Sequence, residues 1–294
     1  MSTTPSSRAA HPLAAVSSFL FVPGNRLDRL PKALASGAGA VIVDWEDAVG
    51  PADKPKAREQ FAPALAACAP AERARLLVRI NAAGTPWYEA DVAALRPLAA
   101  QGLRAVVLPK AERADLLAAP AAALGEGGAL LPLIESAAGL DAVRAIAAAP
   151  QVLRLLFGHI DFQADLGMAC GPDESELTSA RLQLVLTSRL AALAPPVDGV
   201  TTDTQNAALV RAHAERALRG GFGGKLCIHP AQIAPVHAAF APTAEQAEWA
   251  RRVVQGFEAA QGGVFSLDGR MIDAPVVTLA RQVLRRAQAL GGGR

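Results

Sequence analysis

The chain has 294 residues, 51% of them apolar, and its 29 basic and 27 acidic residues give a formal net charge of +2. This length suffices for a large core, and the near-neutral charge argues against a protein that binds nucleic acid or an anionic membrane. Cys68, Cys170 and Cys227 are far apart in the sequence, so we expect reduced thiols in the cytoplasm rather than a disulfide framework or a zinc site. No apolar run is long enough to span a bilayer.

The segment before the first strand, residues 1–17, is rich in Ser and Thr and contains no acidic residue. It lacks the apolar core of a targeting signal, so we expect a disordered N-terminus. From residue 18 onward, short apolar runs alternate with longer amphipathic segments, as in parallel α/β folds. The predicted strands are Ser18–Val22, Ala40–Asp44, Leu76–Ile80, Ala105–Leu108, the run from Leu130 that ends in Glu135, Leu153–Gly158, Val197–Val200 and Gly223–Ile228.

Helical patterns follow these runs. The predicted helices are Leu27–Ser36, Lys54–Cys68, Tyr88–Ala100, Glu112–Leu124, Leu140–Ala149, Glu176–Leu193 and Gln205–Leu218. Eight βα units predict a (β/α)8 TIM barrel over residues 18–242. Residues 243–294 exceed what eight units need. They predict a C-terminal extension, with helices near Ala244–Gln261 and Ala274–Leu290, that caps the barrel as a lid or packs on a neighbouring subunit.

Polar residues follow the predicted strands, where active sites of such barrels lie. Two of them, Glu135 and Asp161, follow neighbouring strands, so we expect their carboxylates close together. Two protein carboxylates suit Mg²⁺, which keeps several waters and leaves positions for substrate oxygens, whereas zinc would call for histidine or cysteine. The alternative is that Glu135 and Asp161 form structural ion pairs with Arg79 or Lys110.

Arg79 ends the third strand, beside the predicted metal site. There its guanidinium could bind a substrate carboxylate through two parallel hydrogen bonds, or it could form a salt bridge with Glu46 or Asp47. Asp44, Glu46 and Asp47 crowd three acids into four positions. We expect some of them to face the metal through water and others to cap the turn. Arg79, Glu46 and Asp47 are therefore candidate catalytic residues.

Two glycine-containing turns carry cations. Gly24-Asn25-Arg26, with Lys32 nearby, precedes the first helix and could hold a phosphate. Gly220–Lys225 is a second such turn, just before the eighth strand. Each pattern is also common in ordinary loops. His159, between Gly158 and Ile160, could be a base or a loop histidine without a catalytic role.

Six stretches, taken together and in this order, resemble a known family. They are FLFVPGNRLDRLPKALASGAGAVIVDWEDAV (19–49), VRIN (78–81), LPLIESAAGL (131–140), FGHIDFQADLG (157–167), GKLCIHPAQI (224–233) and GRMIDAP (269–275). The resemblance is to the citrate lyase β-subunit-like branch of the HpcH/HpaI aldolase superfamily, which includes malyl-CoA and citramalyl-CoA lyases. It implies a (β/α)8 barrel, dependence on Mg²⁺, and cleavage or formation of a carbon–carbon bond in β-hydroxyacyl-CoA thioesters such as malyl-, citramalyl- or citryl-CoA.

The resemblance also implies roles for single residues. Glu135 and Asp161 match the metal ligands, and Arg79 matches the arginine that holds the oxo-acid carboxylate. Asp273 matches an aspartate that reaches into a neighbouring subunit's site, and a cap at a helix start is its alternative role. The remaining matches line the CoA and substrate site or the loop near the thioester arm: Phe21, Arg26, Lys32, Ile228 and His229.

The expected partners are a CoA thioester, an oxo acid and further copies of the chain in a trimer or hexamer. Trp45 stands where the family usually has leucine, which predicts a reshaped acyl pocket. His159 stands where small or acidic residues are common. Two alternatives stay open: the β subunit of a citrate-lyase-type complex that acts on an acyl-carrier thioester, and a CoA-independent, pyruvate-type class II aldolase.

Overall fold

The computed structural model describes residues 11–291, in which eight parallel strands close into a barrel in chain order, as predicted. The strands are β1 (Ser18–Pro23), β2 (Ala40–Asp44), β3 (Leu76–Arg79), β4 (Ala105–Leu108), β5 (Ala129–Ile134), β6 (Leu156–Phe157), β7 (Val197–Asp198) and β8 (Gly224–Cys227). Alternate strand residues form one apolar cluster, as expected of a packed barrel interior. The cluster includes Phe19, Ile42, Leu77, Val107, Leu131, Leu156, Val197 and Leu226.

Helices connect the strands of this TIM barrel. They are α1 (Leu30–Ala35), α2 (Lys54–Ala67), α3 (Pro70–Arg73), α4 (Tyr88–Ala100), α5 (Ala118–Leu124), α6 (Ala137–Asp141), α7 (Val143–Ala148), α8 (His159–Leu166), α9 (Thr178–Leu190), α10 (Ala207–Arg219) and α11 (Ile233–Phe240). Within the described chain, no helix is both long and apolar enough to cross a membrane.

The sequence did not predict helix α8. The strand before it, β6, has only two residues, and Gly158 separates the two elements. The predicted helix Leu140–Ala149 begins earlier and is two short helices, α6 and α7, that meet at Ala142. A strand and helix as short as β6 and α8 have too few residues to show a clear period.

Residues 11–17 contradict the predicted disordered N-terminus. Pro12–Ala14 form a 3₁₀ helix, and Leu13 is 1% exposed within the apolar cluster of the barrel. The buried Arg154 guanidinium donates hydrogen bonds to the carbonyl oxygens of Leu13 and Val16. These contacts anchor the segment. The rest of the predicted disordered stretch, residues 1–10, lies outside the described residues.

The chain divides into two compact units, Met1–Val236 and His237–Arg294. The boundary falls inside α11, not between residues 242 and 243 as predicted. The second unit contains α12 (Ala244–Ala259), an antiparallel hairpin of β9 (Phe265–Leu267) and β10 (Arg270–Ile272), and α13 (Ala274–Gly291). Its small core includes Val253, Ile272 and Val277. The lid role of this unit stays a prediction.

Candidate active site

A cavity of about 400 Å³ opens where the barrel strands end. Apolar side chains of the barrel, among them Leu133, Phe157 and Leu226, form part of its wall. The polar residues that line it include Asp44, Asp47, Arg79, Glu135, His159 and Asp161. The structure therefore brings the predicted arginine and both predicted metal ligands to one cavity, which we call the main cavity.

Strand register sets the position of Arg79. Asp44 and Arg79 are paired residues of β2 and β3. Arg79 Nε and Nη2 donate to the two carboxylate oxygens of Asp44 at 2.7 and 2.6 Å. Arg79 also lies over the Phe21 ring, 4.9 Å from its centroid. Nε and Nη2, which can form two parallel hydrogen bonds, are thus paired with Asp44, and the binding of a substrate carboxylate by Arg79 stays a prediction.

The other end of the guanidinium meets Glu46 and Asp47. Arg79 Nη1 lies 2.8 Å from Glu46 Oε2 and 3.4 Å from Asp47 Oδ2. Burial would lower the pKa of Arg79, but the nearby carboxylates outweigh it, Asp44 foremost, and the pKa lies above its usual value. Burial raises the pKa of Glu46 to about 8, despite the attraction of Arg79. Asp44, Glu46 and Asp47 thus contact all three nitrogen atoms of the guanidinium, so a substrate carboxylate would have to displace Glu46 or Asp47 from Nη1.

A buried lysine fixes the loop that follows β2. Lys54 Nζ donates to the carbonyl oxygens of Trp45 and Glu46 at 3.0 and 2.7 Å, and to Asn81 Oδ1 at 2.6 Å. Asp44 adds to this order by accepting hydrogen bonds from Glu46 N and Ala48 N at 2.9 and 3.0 Å. The sequence alone did not reveal Lys54, because it reads as an ordinary residue at the start of α2.

Glu135 is held by main-chain groups of its neighbours. Lys110 N donates to Glu135 Oε1 at 2.7 Å, with Lys110 in a left-handed conformation at φ 44°. Gly158 packs so closely that a Cβ there would lie 2.5 Å from Glu135 Oε2. Burial raises the pKa of Glu135 to about 7, and the Asp161 carboxylate adds to the shift while the Lys110 amide opposes it.

Asp161 lies in the first turn of α8 rather than in a loop after a strand. Together with Asp44, Asp47 and Glu135 it gives the main cavity an excess of carboxylates over its single guanidinium, Arg79. Such a set of oxygen donors fits a hard divalent cation. Within residues 11–291, no group of three or more His, Cys, Asp or Glu residues forms a metal site, so two carboxylates would have to suffice.

The other predicted site residues are distributed unevenly. Phe21 and Ile228 line the main cavity. Arg26 forms a salt bridge with Asp28 in which both side chains are largely exposed, and Lys32 is exposed on α1. His229 is the N-cap of a 3₁₀ helix, where its Nδ1 accepts from Ala231 N at 3.2 Å. These last three are outside the cavity wall.

Trp45 does not reshape the cavity as predicted. Its side chain is 0% exposed and packs edge-on against Phe61, with ring centroids 5.8 Å apart.

The glycine-rich turn before β8 does not form the phosphate site that the sequence suggested. Lys225 is buried, and its Nζ donates to Gly199 O at 2.6 Å.

Asp273 caps helix α13 in the second unit. Its side chain accepts a hydrogen bond from Val276 N at 3.2 Å. This is the alternative role that the sequence left open, and it fits the preference of aspartate for helix starts. A catalytic role for Asp273 stays a prediction.

His159 lines the main cavity but is a poor candidate for a base. Burial lowers the pKa of its imidazole to about 4. Its Nε2 lies 3.6 Å from Glu174 Oε1, and its Nδ1 is buried without a hydrogen-bond partner among the described residues. The second cavity that it lines, about 260 Å³ in volume, also contains Glu174 and His213. We call this the side cavity.

Known proteins share both this fold and this sequence pattern. A family model described as HpcH/HpaI aldolase/citrate lyase matches residues 17–230. The chain belongs to the HpcH/HpaI aldolase/citrate lyase family. A second family model, described as a C–C bond lyase of the TIM-barrel fold, matches residues 193–292.

The relatives that are similar to this chain are named for different activities. A citrate lyase subunit beta-like protein of Deinococcus radiodurans is 37% identical and covers 93% of this chain and 98% of its own length. A (3S)-malyl-CoA thioesterase of Cereibacter sphaeroides is 34% identical, with 97% and 98% covered. The CitE protein of Mycobacterium tuberculosis, solved with magnesium, acetoacetate and coenzyme A, superposes with a TM-score of 0.80 at 33% identity, with 94% and 99% covered.

Proposed function

We propose that the chain is a Mg²⁺-dependent carbon–carbon lyase. It cleaves a β-hydroxyacyl-CoA thioester, such as malyl-, citramalyl- or citryl-CoA, into an acyl-CoA and an oxo acid, or forms it in reverse. The observation that carries this proposal is the main cavity. Glu135, Asp161 and Arg79, which is held by Asp44, all line it at the ends of the strands. The structure of the similar CitE protein with magnesium and coenzyme A supports it.

Glu135 and Asp161 would hold the Mg²⁺ ion. When bound, the ion supplies Lewis-acid polarisation of the oxygens of the hydroxy acid. The hydrogen bond from Lys110 N to Glu135 Oε1 and the close packing of Gly158 keep the Glu135 carboxylate in one orientation.

Arg79 binds the oxo-acid carboxylate and stabilises negative charge as the carbon–carbon bond breaks. Asp44 orients the guanidinium through two hydrogen bonds, which hold it in one direction before the substrate binds. Glu46 and Asp47 contact its outer end and compete with the substrate there. Apolar walls such as Phe21 and Phe157 limit the water around the reacting groups.

The proposal keeps the remaining roles that the sequence predicted. Arg26 and Lys32 are exposed cations suited to the phosphates of CoA, and Ile228 and His229 contact the thioester arm. In the condensing direction Asp273 removes a proton from the α-carbon of the acyl-CoA in a neighbouring subunit of a homotrimer or hexamer. We also expect a cytoplasmic enzyme.

The test is release of oxo acid from malyl-, citramalyl-, citryl- and hydroxymethylglutaryl-CoA, with Mg²⁺ and with EDTA. We expect metal-dependent release from one of them, and loss of it in Glu135→Gln and Asp161→Asn with the fold intact. Near-normal activity in either variant, with unchanged Mg²⁺ dependence, would remove that residue from the metal site.

The same assay separates the competing functions. Free CoA thiol formed together with the intact hydroxy acid, and without oxo acid, would indicate thioester hydrolysis, the activity named for the C. sphaeroides relative. Activity on free hydroxy-oxo acids without CoA would favour the class II aldolase. Silence with every thioester, together with co-purification of an acyl carrier and a second subunit, would favour the β subunit of a larger complex.

A further inference from the structure

The first turn of α8, which carries Asp161, is held from one side by the strands β5 and β6. Gly158 N donates to Ile134 O at 2.9 Å, and Gly158 packs against the Glu135 carboxylate. Phe162 of the same helix packs edge-on against Phe157, with ring centroids 5.5 Å apart. These contacts hold α8 against β5 and β6. A different residue contacts the opposite side of the helix.

His159 supports that opposite side. It is the first residue of α8, and its side chain is 4% exposed. A Cβ at Gly199 would collide with His159 Nδ1, so the ring is in close contact with the end of β7. Its Nε2 faces Glu174 Oε1 at 3.6 Å. The His159 ring therefore lies between Gly199 and Glu174, and His159 itself is two residues before Asp161.

Glu174 is itself held firmly. Its Oε2 accepts hydrogen bonds from Arg181 Nη2 and, at 2.7 Å, from Arg216 Nη2. Arg181 is fixed in turn by Asp198 Oδ1 at 3.0 Å. Glu174 adopts φ 51°, a conformation that non-glycine residues rarely take unless their surroundings impose it. Because the two arginines occupy Oε2, Glu174 Oε1 is the oxygen directed to His159.

We propose that Glu174 is a positioning residue for the metal site. Through His159 it holds the first turn of α8 so that Asp161 presents its carboxylate beside Glu135. The proposal rests on the proposed metal site. Outer partners of metal ligands commonly change metal affinity by about 10–100-fold when they are removed.

The side cavity lies beside the contact between His159 and Glu174. His159 lines it as well as the main cavity, so a ring released by Glu174 has about 260 Å³ of space into which it can turn. Such a movement would let the start of α8, and with it Asp161, shift away from Glu135. Two guanidiniums neutralise Glu174, so it is not a candidate for a second metal site.

The experiment measures binding of Mg²⁺ alone to the full chain by titration calorimetry, without substrate. We expect Glu174→Ala and His159→Ala each to weaken binding about tenfold. The double variant should also lose about tenfold rather than a hundredfold, because both residues act through one contact. Glu135→Gln is the reference for loss of the site, and Glu215→Gln, a half-buried acid on α10 that pairs with Arg211, is the charge control.

Two outcomes would overturn the proposal. One is a lower melting temperature in Glu174→Ala with Mg²⁺ affinity within twofold of the wild type, which would leave Glu174 a structural role only. The other is additive losses in the double variant. If Glu174→Ala fails to fold, Glu174→Gln, which keeps an oxygen for the two arginines, gives the same comparison. Undiminished binding in Glu135→Gln would instead refute the metal site of the proposed function.

Discussion

Two buried arginines of the barrel contrast in what surrounds their charge. Arg79, at the carboxyl end of the strands, contacts the carboxylates of Asp44, Glu46 and Asp47. Arg154, just before β6, is 0% exposed and donates to the carbonyl oxygens of Leu13, Val16 and Pro195. Burial lowers the pKa of Arg154 to about 9, so it remains charged at neutral pH.

The difference separates a guanidinium that we propose to be catalytic from one that only holds an N-terminal segment against the barrel. Three carboxyl groups hold the Arg79 guanidinium in one direction, and Arg79 still lines the main cavity. The cost is that three acidic side chains lie close to one another. Neutral carbonyls satisfy Arg154 without any excess charge and tie residues 11–17 to the barrel. Each of the following predictions tests this division, in order of decreasing effect.

Arg79→Met should lower kcat/KM about 10³-fold, because it removes the group that stabilises negative charge. Arg79→Lys should still lose at least about tenfold, since an ammonium cannot replace the planar fork on Asp44. Steady-state kinetics on the substrate found in the panel would measure both. Near-normal activity in Arg79→Lys would return Arg79 to a structural role like that of Arg154.

Arg154→Met should destabilise the fold by about 2–4 kcal/mol, because three carbonyl groups lose their donor. Activity per folded molecule should stay within about twofold, since Arg154 lies at the opposite end from the chemistry. Urea unfolding and protease cleavage near residues 11–17 would show the loss. Lower kcat in a fully folded Arg154→Met would contradict the division of roles.

Lys54→Met should lower kcat about tenfold with a smaller change in KM. Without Nζ the loop bearing Glu46 and Asp47 loses two hydrogen bonds, and its link through Lys54 to Asn81 is lost as well. The loop can then shift against Arg79, and small displacements in active sites are costly. Lys56→Met, two residues along and exposed, is the matched control. Equal kinetics in both variants would show that the loop does not need Lys54.

Glu46→Gln should change the pH dependence of stability. The pKa of Glu46 is about 8 in the folded chain and lies near 4.5 when unfolded, so the unfolded state loses its proton first. Glu46 therefore makes stability fall as pH rises from about 4.5 to 8, by at most about 1.4 kcal/mol per pH unit. Urea midpoints at pH 5, 6.5 and 8 should decline less in the variant. Parallel curves would contradict this.

The sequence predicted the barrel because its apolar strand runs are local patterns. It placed Glu135 and Asp161 at one cavity because neighbouring strands end at one edge, and their role as metal ligands stays a prediction. It did not predict the hydrogen bonds between Asp44 and Arg79. These two residues are 35 positions apart in the chain, and their contact depends on the register between β2 and β3. The contacts of Glu174 with Arg181, Arg216 and His159 depend likewise on packing between distant elements.

Trp45 is an intrinsic fluorescent probe of the loop after β2, which carries Glu46 and Asp47. Its indole is fully buried against Phe61, its carbonyl oxygen is bound to Lys54, and the next two residues are Glu46 and Asp47. A ligand that draws Arg79 away from these acids would alter the surroundings of the indole. In a Trp87→Phe, Trp249→Phe background, the fluorescence of this one tryptophan would therefore follow ligand binding in real time without any attached dye.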